Sequence, residues 1–253
     1  MNNRTNIFKE AVLLWRSIPG IVTVFFVLSV VAMNLLANKS IALPVDWLAL
    51  DCGIIFSWLA FLVMDMVTKH FGPRAAILLS VIALIVNLFM AVMFLAASFI
   101  PGEWGESFDE SGMSSTVINY ALDHTFRGTW YVLLGSSVAF IASSVINNEL
   151  NWLIGRASGD NAKGGFGKFV LRSYVSTFVG QFADNLIFAF MVSRIFFGWT
   201  TTQCLMCALT GAVAELLCEI VFSPIGYRVA KNWEDNNVGE KYMIYLKEAG
   251  GKK

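Results

Sequence analysis

The stretch YVSTFVGQFADNLIFAFMV, residues 174–192, decides how this chain is to be read. It is long and apolar enough to cross a bilayer, which takes about 20 such residues in a helix. Yet it places Gln181, Asp184 and Asn185 near the middle of the hydrocarbon. At about 100° per residue, Tyr174, Thr177, Gln181, Asp184, Asn185 and Phe188 share one stripe, and Val, Phe, Leu, Ile and Ala fill the other faces. A carboxylate turned to lipid at mid-depth costs about 2.5–3.5 kcal/mol. The stripe is therefore expected to face the inside of a bundle, where ionisable residues mark a cavity or a pathway.

Composition points the same way. Of 253 residues, 57 % are hydrophobic and 14 % charged, against about a quarter charged in soluble domains. An all-α integral membrane protein follows. The formal net charge is zero, so nothing favours nucleic acid as a partner. The partners expected are the lipid bilayer and a small molecule. Six segments qualify as spans, at about 20–37, 47–67, 75–100, 130–153, 170–197 and 201–223, within one domain covering 1–253. The first is preceded by Arg4, Lys9 and Arg16 with no small-residue cleavage site after it, and reads as a retained helix. The connection 101–129 is acidic, with Glu103, Glu106, Asp109, Glu110 and Asp123. Fifteen Lys and Arg fall on the side of the termini and the 2–3 and 4–5 connections, against three on the other. The positive-inside rule then places both termini in the cytoplasm.

Further polar residues lie in the spans. Ser137, Phe140, Ser144, Asn147, Asn148 and Asn151 share a stripe on the fourth. Glu215 and Glu219 are one turn apart on the sixth, with the small residues Ala208, Gly211 and Ala212 on the same side. Asp51, Trp58 and Asp65 share a face of the second. Amides and hydroxyls in membrane helices also serve as interhelical hydrogen bonds worth about 0.6 kcal/mol. That reading stays open for the fourth span and is preferred for Asn34 and Asn87. Lys69, one turn from Asp65, allows an ion pair or loop anchor as well as a site role. Glu219 either snorkels to the membrane edge or turns inward. Cys204 and Cys207 form a CxxC without further ligands nearby, so packing is expected rather than a metal site, and no cofactor is implied.

Three segments, WLAFLVMDMVTKHFGPRAA (58–76), YVSTFVGQFADNLIFAFMV (174–192) and EIVFSPIGYRVA (219–230), together resemble the queuosine precursor transporters, also called the vitamin-uptake-transporter-like family. The shared pattern is an Asp before an aromatic-Gly turn after the second span, an amide three residues before an Asp in the fifth, and a Pro closing the sixth. The resemblance covers about 47–230. It implies a six-helix fold similar to the substrate-binding components of energy-coupling-factor vitamin transporters. It also implies a bacterial cytoplasmic membrane and uptake of a 7-deazaguanine base or queuine for tRNA modification. Asp65, Gln181, Asp184 and Asn185 match family motif positions. The family's Gln and Asp in the fourth span are replaced by Ser144 and Asn147, with Glu149 nearby, and its Lys in the sixth by Glu215.

A carboxylate can accept the adjacent N1–H and exocyclic amine of such a base as a bidentate pair, and an amide can serve its carbonyl edge. Asp184 is the expected acceptor, oriented by Gln181 and Asn185. Phe140, Phe188 or Trp58 could cover the ring face. Excess carboxylate, Glu215 in place of Lys included, is expected to favour an amine-bearing precursor over the cyano base. The alternative is a binding subunit that docks on an ATPase module, but the first span, GIVTVFFVLSVVAMNLLA (20–37), lacks the Ala-xxx-Ala face such docking uses. The chain carries no Walker, HExxH or GxSxG motif, which argues against an ATPase or an enzyme.

Overall fold

The computed structural model describes residues 7–100, 115–157 and 166–250. Half of the acidic connection, from 101 to 114, lies outside the described residues, as do Arg4, Lys163, Lys252 and Lys253 among the counted cations. The described residues are helical almost throughout: α1 (Ile7–Ser17), α2 (Gly20–Leu36), α3 (Ile54–Phe71), α4 (Pro73–Ala97), α5 (Ser115–Ala157), α6 (Phe166–Phe188), a π-helical turn (Ala189–Ser193), α7 (Arg194–Phe196), α8 (Thr201–Asp235) and α9 (Glu240–Gly250). Five of these helices are long and apolar enough to cross a membrane, and six if α1 and α2, bent by 109°, count as one broken span.

Burial explains the layout. The exposed large hydrophobic side chains of α4 include Ile77, Val81, Ile85, Leu88, Phe89, Val92 and Met93, a face that suits lipid and not water. By contrast, α3 is the most enclosed helix. Every residue from Phe61 to Thr68 is buried, because α2, α4 and α8 pack around it. The main core joins Phe61, Met64, Val67, Leu79 and Phe140 to Leu14, Trp233 and Tyr242.

Short helical connections set the two ends. Gly72, at φ +91°, ends α3, and Pro73 starts α4 at its first turn, where a missing N–H is harmless. Against this turn pack both terminal helices. Arg74 pairs with the buried Glu10 of α1 at 2.7 Å, and His70 Nε2 lies 2.8 Å from the Val238 carbonyl just before α9. We call this the tail end. At the other end, between α2 and α3, lies a two-stranded hairpin, β1 (Ser40–Ile41) with β2 (Leu50–Asp51).

Several boundaries differ from the sequence expectation. The second span was expected from 47, but residues up to Asp51 belong to the hairpin and α3 starts at Ile54. The connection 101–129 was expected as a loop with room for a short surface helix; among the described residues α5 already runs from Ser115, continuous with the fourth span, with Phe126 stacked on Phe94 at 5.1 Å. Pro224 was expected to close the sixth span, yet α8 continues through it to Asp235. The carbonyl that Pro224 leaves without its helical partner belongs to Ile220, and Ser223 Oγ donates to it at 3.5 Å. The fifth span passes through the π-helical turn and ends with α7. In that turn the Ala189 carbonyl accepts the Arg194 backbone N–H and also Cys204 Sγ at 3.5 Å, and the Tyr131 hydroxyl donates to the Met191 carbonyl at 2.8 Å.

Candidate functional site

The polar stripe of α6 turns inward, packs against α5 and α8, and reaches α3 through Asp65. At the hairpin end it borders a cavity of about 40 Å³ whose walls include Asn34, Asp51, Ser57, Ser136, Asp184, Asn185 and Phe188. Several of the polar wall residues are held by their neighbours. Ser143 Oγ donates to Asp184 at 2.8 Å. Asn185 Nδ2 donates to Glu215 at 3.2 Å, and Ser57 Oγ donates to the other oxygen of the same carboxyl. Asp51 is fixed by the Gly53 backbone N–H, which donates at 2.7 Å. A Cβ at Gly53 would lie 2.8 Å from the Met33 carbonyl, so only glycine lets the hairpin approach α2 here. Burial pushes the Asp51 carboxyl up to about 6, against the opposing pull of the Gly53 bond. The cavity holds a few waters at most, so a larger molecule fits only if the surrounding helices part.

One turn deeper lies Gln181, 0 % exposed, with neither its amide nitrogen nor its amide oxygen hydrogen-bonded. Asn147 from α5 is also buried, and its Oδ1 has no partner. Gly180 lets α5 come close, since a Cβ there would sit 3.0 Å from Asn147 Cβ. Nearer the tail end is a second cluster. Asp65 of α3 and Glu219 of α8 both contact Ser173 Oγ of α6. Thr177 Oγ1 donates to Asp65 at 3.3 Å, and the Asn147 side chain lies beside it.

The expected site residues therefore divide. Asp184, Asn185 and Phe188 lie on the cavity wall. Glu215 sits behind it, engaged by Ser57 and Asn185. Gln181 and Asn147 lie between the two clusters, and Asp65 belongs to the second. Ser144 and Phe140 are packed in the interior: Ser144 Oγ lies 3.9 Å from Met64 Sδ, and Phe140 meets Phe61 edge-on at 6.1 Å. Trp58 stacks on Phe222 at 4.4 Å and donates to the Ile55 carbonyl, away from the cavity. Phe188 is thus the aromatic on the wall. Glu149 is exposed and adds no charge to the interior.

Asp65 turns to the hydroxyls of α6, while the Lys69 ammonium lies 4.0 Å from the Tyr227 ring centre. Sequence reasoning left Ser57, Ser143, Ser173 and Asn34 out of the candidate site. A lone Ser or Asn in a membrane helix carries no distinguishing signal, and only proximity to a carboxylate on another helix sets these apart. Glu219 had been left between snorkelling and inward orientation. It is 2 % exposed and inward.

A family model described as "putative vitamin uptake transporter" matches residues 51–229. The chain belongs to this family. It is a multi-pass membrane protein of the vitamin-uptake transporter type, which moves a small molecule across a lipid bilayer, and the family is not an enzymatic one. The match runs from Asp51 to Val229, so it contains both carboxylate clusters and leaves out α1, α2 and α9. Neither a curated protein nor a solved structure matches the chain.

Proposed function

We propose that this transporter imports a queuosine precursor, a 7-deazaguanine base or queuine, into the cytoplasm of a bacterium for tRNA modification. The observation that carries the reading is Gln181. A buried amide without partners costs about 1–3 kcal/mol, and folding gains nothing from it. It lies one turn from Asn185 and beside Asp184 on the same face of α6, as an amide that serves a base's carbonyl edge should. In this reading Asp184 accepts the N1–H and the exocyclic amine, and Phe188 covers the ring. The motif positions of the queuosine precursor family support the same assignment. Both termini lie in the cytoplasm, consistent with the cationic connections at the tail end.

The test is uptake of labelled queuine by cells that lack their own importer. Gln181→Leu should abolish uptake while the melting temperature of the purified protein holds or rises, because the substitution removes an unpaired buried amide. Normal uptake by this variant would sink the assignment. Co-purification of an ATPase with the tagged protein would instead favour a binding subunit.

A further inference from the structure

We infer that Asp65, Ser173 and Glu219 form a proton-binding site, separate from the base pocket, that couples uptake to proton entry. The argument is a count of hydrogens. Ser173 Oγ lies within hydrogen-bond distance of Asp65 Oδ2 and of Glu219 Oε1. A hydroxyl has one hydrogen to donate, and an ionised carboxylate has none. Both contacts are bonds only if one carboxyl is protonated. Its O–H then donates to Ser173 Oγ, whose own hydrogen goes to the other carboxylate. The cluster thus holds one proton and one negative charge.

The surroundings fit a site that gains and loses that proton. Asp65 is 3 % exposed and Glu219 2 %. Glu219 Oε2 and the neighbouring Asn147 Oδ1 are buried without partners, so acceptors stand ready in the cluster. The groups that bear on Asp65 are Ser173 and Thr177 from α6, Glu219 from α8 and Asn147 from α5. Those that bear on Glu219 are Asp65, Ser173 and Thr177. Of the cations on the same helices, Lys69 faces Tyr227, and Arg172 Nε donates to Asn151 at 2.5 Å.

Loss of the proton would leave two carboxylates in contact at low dielectric, and their repulsion would push α3 and α8 apart. Those two helices and α6 also carry Ser57, Glu215 and Asn185 around the base pocket. A movement that separates them at the tail end therefore changes the same walls that must part for a base. That is the physical link between proton and cargo.

Two measurements test this. Infrared difference spectroscopy of the purified protein across a pH titration reads protonated carboxyls directly and needs no cargo. A carbonyl band of a buried protonated carboxyl should be present, should disappear in Glu219→Gln, and should shift in Ser173→Ala. Absence of such a band, or a band unmoved in both variants, overturns the inference. In proteoliposomes an imposed acid-outside gradient should drive queuine accumulation by up to about tenfold per pH unit if one proton accompanies each molecule. Glu219→Gln should lose this accumulation yet keep counterflow exchange. Accumulation driven by a sodium gradient instead, or equal in the variant, overturns it too. If no queuine enters unmutated proteoliposomes, the cargo assignment has failed, and the infrared result still decides the proton site.

Discussion

Asp184 carries the most direct prediction about binding. Its carboxyl is held by a single hydroxyl, Ser143, and faces the cavity with Asn185. A charge-assisted hydrogen bond is worth about 1.5–3 kcal/mol, so Asp184→Asn should weaken uptake at least about tenfold with expression nearly intact; unchanged uptake would reduce Asp184 to interhelical glue. Asp51 adds a pH signature. With its carboxyl pushed up to about 6, it is charged at neutral pH and neutral in mild acid. The wall therefore bears two acidic groups, Asp51 and Asp184, with Glu215 behind them. Competition assays with unlabelled bases should favour an amine-bearing precursor or queuine over the cyano base at neutral pH. That preference should shrink as the outside pH falls below the Asp51 value, and Asp51→Asn should flatten the pH dependence. If the cyano base competes best at neutral pH, the charge argument fails.

At the scale of elements, close helix approach determines which polar groups meet. α6 and α8 touch at Gly211, where a Cβ would lie 2.7 Å from Asn185 Nδ2. Gly211→Ala should turn Asn185 away from Glu215. Loss of one hydrogen bond, about 0.5–1.5 kcal/mol, should lower uptake severalfold. The melting temperature should stay close to that of the parent, because the displaced atom is the end of a side chain that can rotate. A large fall in melting temperature with uptake preserved would show that the glycine serves packing alone. The continuous path of α8 through Pro224 has a related cause. Tyr174 of α6 and Ser223 are 2.9 Å apart, and Ser223 also reaches the Ile220 carbonyl. The kink-prone turn is thus tied to α6 near the second carboxylate cluster.

For the whole molecule, the testable property is orientation. α1, α9 and the α3–α4 turn gather at one end and the hairpin lies at the other. With the cationic end inside, a cysteine placed at Trp47, which is 52 % exposed, should react with an impermeant reagent from outside. A cysteine placed at the exposed Asn236 should react only after the membrane is opened. The reverse pattern would invert the topology. The bend of 109° between α1 and α2 fits this arrangement. α1 carries Ile7, Phe8 and Trp15 exposed alongside Lys9 and Arg16, the composition of a helix lying in the membrane interface.

The sequence by itself determined the membrane class, the approximate spans and the inward stripe of α6. These follow from local quantities: the length of apolar runs, and the cost of putting Asp184 in lipid. The match of the family to residues 51–229 was legible too, through motifs on α3, α6 and α8. The tertiary structure decided the rest. Hydropathy did not separate the hairpin from α3, because Trp47, Leu48 and Leu50 are apolar in either place. A helical wheel gives the face of each residue but not its depth against a neighbouring helix. Asp65 and Glu219 are 154 positions apart, and only the packing of α3 and α8 against α6 brings both to Ser173. Phe140 and Trp58 show the same limit. A helical wheel puts both on a face with polar residues, but their rings pack against Phe61 and Phe222. Which polar groups share a proton, a cavity or a core is a matter of registry between helices, and that registry is set by close packing across the whole bundle.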